Sequence, residues 1–491
     1  MYLVTSEQMR YFDHYTIKTL KVPGIVLMDH AGKAVAEAVV KRRAKRVVVA
    51  CGKGNNGGDG WIAARWLQHG GCSVHVVTVV DPGNLEGDAK LAFDMAGAAN
   101  VSWNIYQPGD LGGSSIELLV DALLGTGCTR PLAGVYEQIV DEMNHSGVPI
   151  LAIDVPTGID ASTGEVKGSA IRASETIAMA YEKLGTAVTP GAIYSGHTHV
   201  VDIGIKAPLP EGMASYVDPS ELRQKWGSRD ALSHKGTFGR CGIFVGHMQG
   251  AAILAAAGAA RTGAGLVVLG TRGSISLAVL PDYVVRQAES PVSALEDCQS
   301  IVVGPGLGTD LEPLVGTASV DEMFSSKRGV VDADGLKLLR ASNGLRRLND
   351  GWVLTPHPKE CANLLGWTTE QVQRQRLTAA MQLAERTGAI VLLKGYRTII
   401  ATPAGEIRVN PTGNASLAVG GSGDVLAGVI GSLIAQGLNG FDAASLGAWI
   451  HGRAGELAGA ALTPISTTAS DIVDYISRAI VTFFDGIGAR N

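Results

Sequence analysis

The stretch CGKGNNGGDG, residues 51–60, decides how the first half of this sequence folds. It follows the apolar run RVVVA at 46–50 and precedes the helical pattern WIAARWL at 61–67. A glycine-rich turn between a buried strand and a helix is typical of open α/β sheets, which bind ligands beyond the carboxyl ends of their strands. Further short apolar runs alternate with helical patterns, so we expect a mainly parallel sheet with helices on both faces.

The length of the chain predicts more than one domain. Its 491 residues exceed the roughly 250 to 300 that one hydrophobic core supports. Prolines and glycines interrupt the periodicity around residues 204–222, and the strand and helix alternation restarts after them. We therefore expect two α/β domains, at 1–215 and 216–491.

Charge and cysteine content exclude several classes of partner. The net charge of -5 gives no broad attraction for nucleic acid or an anionic membrane, and the basic run at 41–46 is read as a solvated helix end. The six cysteines are far apart and contain no CxxC, which indicates neither a disulfide framework nor a zinc site. The first residues lack the pattern of a signal peptide. A cytoplasmic protein with small-molecule partners is expected.

Polar side chains crowd three predicted strand ends in the first half, within the motifs NNGGDG, DALLGTGCTR and DVPTGID. These side chains are Asn55, Asn56, Asp59, Asp121, Asp154 and Thr157. Amide, carboxylate and hydroxyl oxygens at one sheet edge suit substrate hydroxyls, an amide or a hard monovalent cation. The alternative for each motif is a glycine-rich turn with capping side chains. The spacing GxGxxG alone is weak support for a dinucleotide site.

The three motifs, in this order, resemble the epimerase domain of the NAD(P)HX repair proteins, the YjeF N-terminal family, over about residues 5–206. The resemblance implies a Rossmann-like three-layer α/β/α fold. The implied ligand is a dinucleotide hydrated at C6 of its nicotinamide ring, and no hydride is transferred. The resemblance also implies K⁺ held by Asn56, Asp121 and Thr157. The implied contacts to the hydrate are Asn55, Asn56, Gly57, Gly58, Asp59, Gly125, Thr126, Gly127, Cys128, Thr129, Arg130, Pro131 and Asp154.

The stretch GGSGDVLAGVIGSLIAQG, residues 420–437, is the most specific motif of the second half. Its glycines allow backbone N–H groups to converge at the start of a helix, which forms an anion hole. Asp424 lies at the mouth of that hole, where a carboxylate can accept the proton of a hydroxyl that attacks phosphorus. A lone helix-capping Asp is the alternative. The chain has no GxxxxGK[ST], so a P-loop is excluded.

Two further motifs of the second half suggest ligand contacts. LLKGYRTII, residues 392–400, places Lys394 and Arg397 beside a tight turn between two strands, where they suit phosphate groups. A plain hairpin is the alternative. LTPHPKE, residues 354–360, holds His357 between two prolines at a strand end. Such a histidine either contacts a ligand or serves the structure alone.

These motifs, with HKGTFGR, GPGLG, DADGL and NPTGNASLAVGGSGDVLAG, resemble the NAD(P)HX dehydratase domain, which has a ribokinase-like α/β fold. The resemblance covers about residues 222–485. It implies Mg²⁺ and ADP, with AMP and phosphate as products, whereas the motifs themselves do not separate ADP from ATP. The implied substrate contacts are Ala251, Gly306, His357 and Asp424. The implied nucleotide contacts are Lys394, Gly395, Tyr396, Arg397, Thr398 and Gly423.

The two resemblances together predict a bifunctional repair enzyme. One domain interconverts the R and S epimers of NADHX and NADPHX, with Asp154 as the candidate acid–base. The other dehydrates the S epimer, with Asp424 as the base. One rival is a ribokinase-type vitamin or sugar kinase, because the anion hole would serve a stable alcohol equally well. The other rival is a dinucleotide-sensing module in the first half. A homo-oligomer is also expected.

Overall fold

The computed structural model of the chain describes residues 1–113, 115–227, 229–276, 281–308, 317–341 and 344–486. It divides into two compact units, one of Tyr2–Ala214 and one of Ser215–Asn491 together with Met1. Within the described ranges, every helix is too short or too polar to cross a membrane.

The N-terminal unit is built on a seven-stranded sheet in which all neighbouring strands are parallel. The predicted parallel sheet is confirmed. Buried apolar residues lie on both of its faces, as expected when helices cover a sheet on two sides. In order across the sheet, the strands are Ser102–Ile105, Ser73–Thr78, Arg46–Cys51, Leu118–Ala122, Ile150–Ile153, Glu175–Met179 and His197–Val201.

The helices Asn55–His69, Gly87–Ala98 and Val135–His145 connect successive strands of the sheet, and a short parallel pair joins Leu3–Val4 to Glu182–Lys183. This pair brings the first residues of the chain beside the segment that follows the strand Glu175–Met179. The α-helices are Ser6–His14, Gly24–Lys41, Asn55–His69, Gly87–Ala98, Val135–His145, Leu184–Ala187 and Gly191–Tyr194, with a π-helical turn at Tyr15–Thr19 and a 3₁₀ turn at Pro82–Asn84.

The glycine-rich turn packs so closely that its glycines have no room for side chains. A Cβ on Gly57 would overlap the carbonyl oxygen of Gly52, and a Cβ on Gly52 would overlap that of Leu123. Gly54, by contrast, has open space around its Cβ position. The helix begins at Asn55 without a side-chain cap, so its first backbone N–H groups face the space beyond the strand.

The C-terminal unit contains a ten-stranded sheet with mixed strand directions. Neighbouring strands are parallel except where Ile399–Ala401 pairs antiparallel with each of its neighbours. The turn from Leu393 to Ile399 is the predicted tight turn between two strands, and these strands pair as a hairpin. In order, the strands are Ser215–Tyr216, Ile407–Val409, Ile399–Ala401, Ile390–Leu393, Trp352–Leu354, Gly329–Val331, Ser300–Val303, Arg240–Phe244, Leu266–Thr271 and Tyr283–Gln287.

Two helices of this unit approach each other at backbone distance, Ser422–Ala435 and Gln249–Arg261. A Cβ on Gly428 would overlap the carbonyl oxygen of Ala255, so glycine is required there. This packing fixes the helix start that carries Asp424.

The remaining α-helices are Pro219–Lys225, Pro291–Ala294, Thr317–Ser326, Pro358–Leu365, Thr369–Arg374, Arg376–Thr387, Gly440–Leu462 and Ala469–Asp485. Shorter elements are the 3₁₀ segments Lys235–Phe238, Ala333–Leu339 and Ala415–Leu417 and the strand pair Arg340–Ala341 and Gly344–Leu345.

The glycine turn predicts a measurable stability difference. Gly57→Ala forces a methyl group against a backbone oxygen, so we expect a loss of about 1–3 kcal/mol in the unfolding free energy of the N-terminal unit. Gly97→Ala, in the helix Gly87–Ala98, places its methyl in open space and should stabilise by up to about 1 kcal/mol. Calorimetric unfolding of both variants tests this, and equal stability would contradict the packing account.

Candidate active sites

The N-terminal unit encloses a cavity of about 340 Å³ at the carboxyl ends of its strands. The structure brings seven of the predicted site residues together in its lining, and they come from three different strand ends. These residues are Asn55, Asn56, Asp59, Gly125, Thr126, Gly127 and Asp154.

The other predicted residues of this site lie outside the cavity lining. Gly57 and Gly58 are buried within the helix Asn55–His69. The Sγ atom of Cys128 is buried 3.9 Å from the carbonyl oxygen of Arg130. The exposed residues are Thr129, Arg130 and Pro131.

Asp154 is held by a buried lysine that the sequence reasoning missed. Its backbone is left-handed, with φ of 67°, and its Oδ1 accepts a hydrogen bond of 3.0 Å from the backbone N of Met179. The same oxygen accepts from Nζ of Lys183, a side chain with no exposed surface. Lys183 also donates to the carbonyl oxygens of Met179 and Tyr181, at 2.9 and 3.0 Å. The orientation of the Asp154 carboxylate is therefore fixed.

Three further carboxyl groups line the same cavity, those of Asp13, Asp59 and Asp88. Burial raises the pKa of Asp13 to about 6, where Lys183 acts to lower it and Asp154 to raise it. Burial also raises the pKa of Asp59 well above its usual range, and the like charges of Asp154 and Asp13 add to that effect. The cavity thus holds carboxyl groups in different electrostatic environments, which is common at catalytic sites.

The three predicted cation ligands lie around the same strand ends. Thr157 donates from Oγ1 to Oδ1 of Asp121 at 2.7 Å and from its backbone N to Oδ2 at 2.8 Å. Asp121 is fully buried, and burial raises its pKa to about 6. The amide of Asn56 is 9 % exposed, and its oxygen and nitrogen have no hydrogen-bond partner within the described ranges. Asn56 therefore offers unused polar atoms to a ligand.

The C-terminal unit encloses a larger cavity, of about 680 Å³. It is bounded by the hairpin turn, the start of the helix Ser422–Ala435 and the helix Gly440–Leu462. The predicted residues that line it are His357, Lys394, Gly395, Tyr396, Thr398 and Gly423. Arg397 is not among its lining residues, and its guanidinium lies over the ring of Tyr216 at 5.4 Å.

Asp424 lies half-buried in the first turn of its helix, beside an ion pair. Nζ of Lys394 donates to Oδ1 of Asp332 at 2.7 Å, and Asp332 is 1 % exposed. Burial raises the pKa of Asp424 to about 6, the negative charge of Asp332 adds to the rise, and Lys394 opposes it. A carboxylate with this pKa is a competent proton acceptor near neutral pH.

The predicted substrate contacts Ala251, Gly306 and Asp424 lie outside the lining of this cavity, although Gly423, next to Asp424, belongs to it. The carbonyl oxygen of Gly306 accepts a hydrogen bond of 2.9 Å from the backbone N of Met248, which precedes the helix that contains Ala251. Asp334 joins this region, because its Oδ2 accepts from the backbone N of Gly308 at 2.9 Å. Asp334 also acts to raise the pKa of Asp424, after burial and Asp332, so these loops lie within electrostatic reach of the base.

His357 caps a helix and also lines the cavity, so its predicted ligand contact stays a prediction. Its Nδ1 accepts hydrogen bonds from the backbone N of Lys359 and of Glu360, at 3.1 and 3.2 Å, and so caps the helix Pro358–Leu365. The same ring also lines the cavity. The structural role and the ligand role are therefore compatible.

Both halves of the chain match family models. Residues 24–185 match the model described as YjeF-related protein N-terminus, and residues 241–478 match that of NAD(P)H-hydrate dehydratase. The bifunctional NAD(P)H-hydrate repair enzyme Nnr of Moorella thermoacetica is 35% identical over 97% of this chain and 96% of its own length. This chain belongs to the bifunctional NAD(P)H-hydrate repair enzyme family. Its counterpart from Escherichia coli (strain K12) is 33% identical over 92% of this chain and 89% of that protein.

Among solved structures, the ADP/ATP-dependent NAD(P)H-hydrate dehydratase from Bacillus subtilis, co-crystallized with ATP/Mg²⁺, is 30% identical. It covers 55% of this chain and 98% of its own, with a TM-score of 0.49. The family membership gives this repair enzyme an epimerase domain and a dehydratase domain, and it disfavours the kinase and sensing-module alternatives.

Four polar residues of the repair enzyme's two sites escaped the sequence reasoning, namely Asp13, Lys183, Asp332 and His451. Asp332 lies in the quoted motif DADGL, so its strand-end position was an available signal. His451 is buried in a long helix, where Nε2 lies 3.2 Å from Oγ of Ser422, and burial lowers its pKa to about 4. A neutral histidine therefore lines the larger cavity. For Asp13 and Lys183, only the folded chain shows the proximity to Asp154.

The buried ion pair of the epimerase domain predicts a large cost for losing one partner. Lys183→Met leaves the Asp154 carboxylate without its ammonium, so we expect a loss of about 3–5 kcal/mol in the unfolding free energy of this unit. Lys167→Met is the control, because Nζ of Lys167 is a third exposed and lies 3.4 Å from Asp160. It should cost less than about 1 kcal/mol. Calorimetry measures both, and a similar small cost for each would refute a buried pair.

Proposed function

We propose that the dehydratase domain acts on the S epimer of hydrated NADH and NADPH with ADP as phosphoryl donor, and that Asp424 is its general base. The observation that carries this proposal is the half-buried Asp424 carboxylate, with its pKa raised to about 6, at a helix start beside Lys394 and the cavity of about 680 Å³. A base at this position can take a hydroxyl proton, while Lys394 and the backbone N–H groups favour phosphate.

The chemistry balances as a dehydration coupled to nucleotide cleavage. The hydroxyl oxygen beside the ring nitrogen attacks the β-phosphorus of ADP, its proton passes to Asp424, and the bond from phosphorus to AMP breaks. The ring nitrogen's lone pair then expels phosphate as the carbon–oxygen bond breaks. Loss of a proton from the neighbouring ring carbon restores the reduced dinucleotide. Hydrate and ADP thus give the reduced coenzyme, AMP and phosphate, with no change in oxidation state.

The residues around Asp424 fit a magnesium ion held jointly with the nucleotide. Within the described ranges, no group of three or more His, Cys, Asp and Glu side chains could hold a metal by itself. Mg²⁺ usually binds one or two carboxylates together with phosphates and water. Asp332 and Asp334, whose charges help to raise the pKa of Asp424, are the residues that would hold it. Bound there, the ion would neutralise phosphate charge.

We propose further that the epimerase domain supplies the accepted epimer, with Asp154 as an acid–base group. Its carboxylate lines the cavity and is oriented by Lys183 and the backbone of Met179. A dehydratase site that fixes one configuration leaves the mirror epimer unused, which explains why both domains lie on one chain.

We also propose K⁺ as the cation of the epimerase domain. The unpartnered amide of Asn56 fits this ion, because its oxygen can coordinate a monovalent cation together with oxygens of Asp121 and Thr157. The ion would offset the negative charge of a carboxylate whose pKa burial raises to about 6.

The remaining expectations concern the location, the partners and the assembly of the enzyme. All six cysteines are free thiols, which suits the cytoplasm as the proposed location. The proposed partners are the two hydrated dinucleotides and ADP, with a homo-oligomer as the expected assembly.

One incubation tests the two proposed bases. An epimer mixture of hydrated NADH, with ADP and Mg²⁺, is followed by nicotinamide absorbance and chiral separation. Asp424→Asn should lower the dehydration rate by about 10²–10⁴-fold and leave epimerisation unchanged, because only the proton acceptor is lost. Asp154→Asn should abolish interconversion and leave dehydration of the S epimer intact. A lasting phosphorylated product with no regenerated coenzyme would overturn the proposal.

The cation proposal is tested by unfolding rather than activity. Replacing choline chloride with KCl should raise the unfolding temperature of the epimerase domain by about 3–6 °C at a concentration tenfold above the dissociation constant. Thr157→Val should remove this shift, because it deletes one coordinating oxygen. Thr163→Val should keep it, because Oγ1 of Thr163 accepts a hydrogen bond of 3.3 Å from the backbone N of Glu165 and is not a proposed cation ligand. The same temperature in both salts for the unmodified chain would argue against a K⁺ site.

A further inference from the structure

The cavity of the N-terminal unit contains a second carboxyl group suited to proton transfer. Asp13 belongs to the helix Ser6–His14, whereas Asp154 follows the strand Ile150–Ile153, and both line the same cavity. The two groups are therefore brought to one cavity by different elements of the fold. The unpartnered amide of Asn56, 9 % exposed, lines this cavity too and independently indicates a ligand there.

Asp154 and Asp13 differ in their hydrogen-bond and ion-pair partners. The Oδ1 atom of Asp154 accepts from an ammonium and from a backbone N–H, which are both donors to a carboxylate. The carboxyl group of Asp13 has no hydrogen-bond or salt-bridge partner among the residues that the structure describes. Inversion of a carbon that bears a hydroxyl group requires both a proton donor and a proton acceptor. Asp154 is held as an acceptor, so the donor must be another group.

We propose that Asp13 is a catalytic residue of the epimerisation, acting as the general acid while Asp154 acts as the general base. This inference rests on the proposed function of the epimerase domain and assigns the second half of its proton transfer. Lys183 is a positioning residue in this scheme, since its Nζ donates hydrogen bonds to Asp154 and to the carbonyl oxygens of Met179 and Tyr181.

The proposed step is balanced. Asp13 gives its proton to the hydroxyl oxygen as the carbon–oxygen bond breaks, and the ring nitrogen's lone pair forms a carbon–nitrogen double bond. The oxygen leaves as water. Water then adds to the opposite face of the carbon and loses a proton to Asp154. One water leaves and one enters, one proton moves from Asp13 to Asp154, and nothing is oxidised or reduced. The reverse inversion uses the two groups in exchanged roles.

The environment of Asp13 supports a proton donor at moderate pH. Burial raises its pKa to about 6, and the charged groups that face it are Lys183, Asp154 and Asp59. Asp88 also lines the cavity. Because the donor must carry its proton, kcat/KM for epimerisation should fall as the pH rises through about 6. A reaction limited by a base alone would show the opposite change, with kcat/KM rising as the pH rises through the pKa of that base.

The test uses the full chain and a single epimer of hydrated NADH without ADP or Mg²⁺, so that dehydration is silent. Chiral separation follows the other epimer, with the uncatalysed rate subtracted at each pH. Asp13→Asn should lower kcat by about 10²–10⁴-fold, change KM by less than about threefold, and abolish the decline above pH 6. Dehydration of the S epimer with ADP should be unaffected. Glu7→Gln, on the exposed surface of the same helix, is the matched control and should behave as wild type.

Each outcome separates this inference from the proposed function. Epimerisation by Asp13→Asn at the wild-type rate and pH profile overturns the inference alone. Failure of the unmodified chain to interconvert the epimers overturns the proposed epimerase function itself. If Asp13→Asn lowers the unfolding temperature of this unit, Asp13→Glu shows whether the loss of activity comes from the missing carboxyl group or from lost stability. This variant keeps a carboxyl group and should recover activity at least tenfold above Asp13→Asn, with the decline restored, whereas equal inactivity refutes the acid role.

Discussion

Parallel strand pairing is the constraint on which both sites of this enzyme depend. When strands run in the same direction, their carboxyl ends meet at one edge, and residues far apart in sequence become neighbours there. In the N-terminal unit, this edge brings together Asn56, Asp121 and Asp154 from three separate segments of the chain. The glycines of the first loop let the helix Asn55–His69 start immediately behind the strand. Without that close approach, the amide and carboxylate side chains would not face one cavity.

Burial is the second determinant, since it decides which of these groups hold a proton. A carboxyl group removed from water keeps its proton to higher pH unless a cation or several donors compensate. Asp121 has compensating donors from Thr157 and the backbone of Leu123, yet its pKa is still raised to about 6. His451 shows the converse, because burial lowers its pKa and leaves it neutral in the larger cavity. Both sites therefore hold groups whose pKa values differ from those in solution.

The fold was largely predictable from sequence, whereas the sites were only partly so. Apolar runs and glycine clusters correctly predicted an α/β layout in both halves and a parallel sheet in the first, because these patterns report burial and tight turns that are local in sequence. Strand-end positions likewise indicated Asp154 and Asp424. Lys183 was not predicted, since its ammonium meets Asp154 only when the segment after Glu175–Met179 folds back. Arg130 was expected at the ligand but lies exposed, because a loop's path cannot be inferred from its composition.

The two domains share one arrangement of charged side chains. Each places a lysine on one carboxylate, Lys183 on Asp154 and Lys394 on Asp332, and each leaves a second carboxyl group nearby without that partner. The second group, Asp13 or Asp424, has its pKa raised to about 6. Paired carboxyl groups whose environments push their pKa values apart are the usual basis for dividing acid and base roles. In the dehydratase domain the less compensated group is free to take a proton, while the paired one is engaged by lysine. The same asymmetry in the epimerase cavity allows one carboxyl group to donate while the other accepts, which inversion at a single carbon requires.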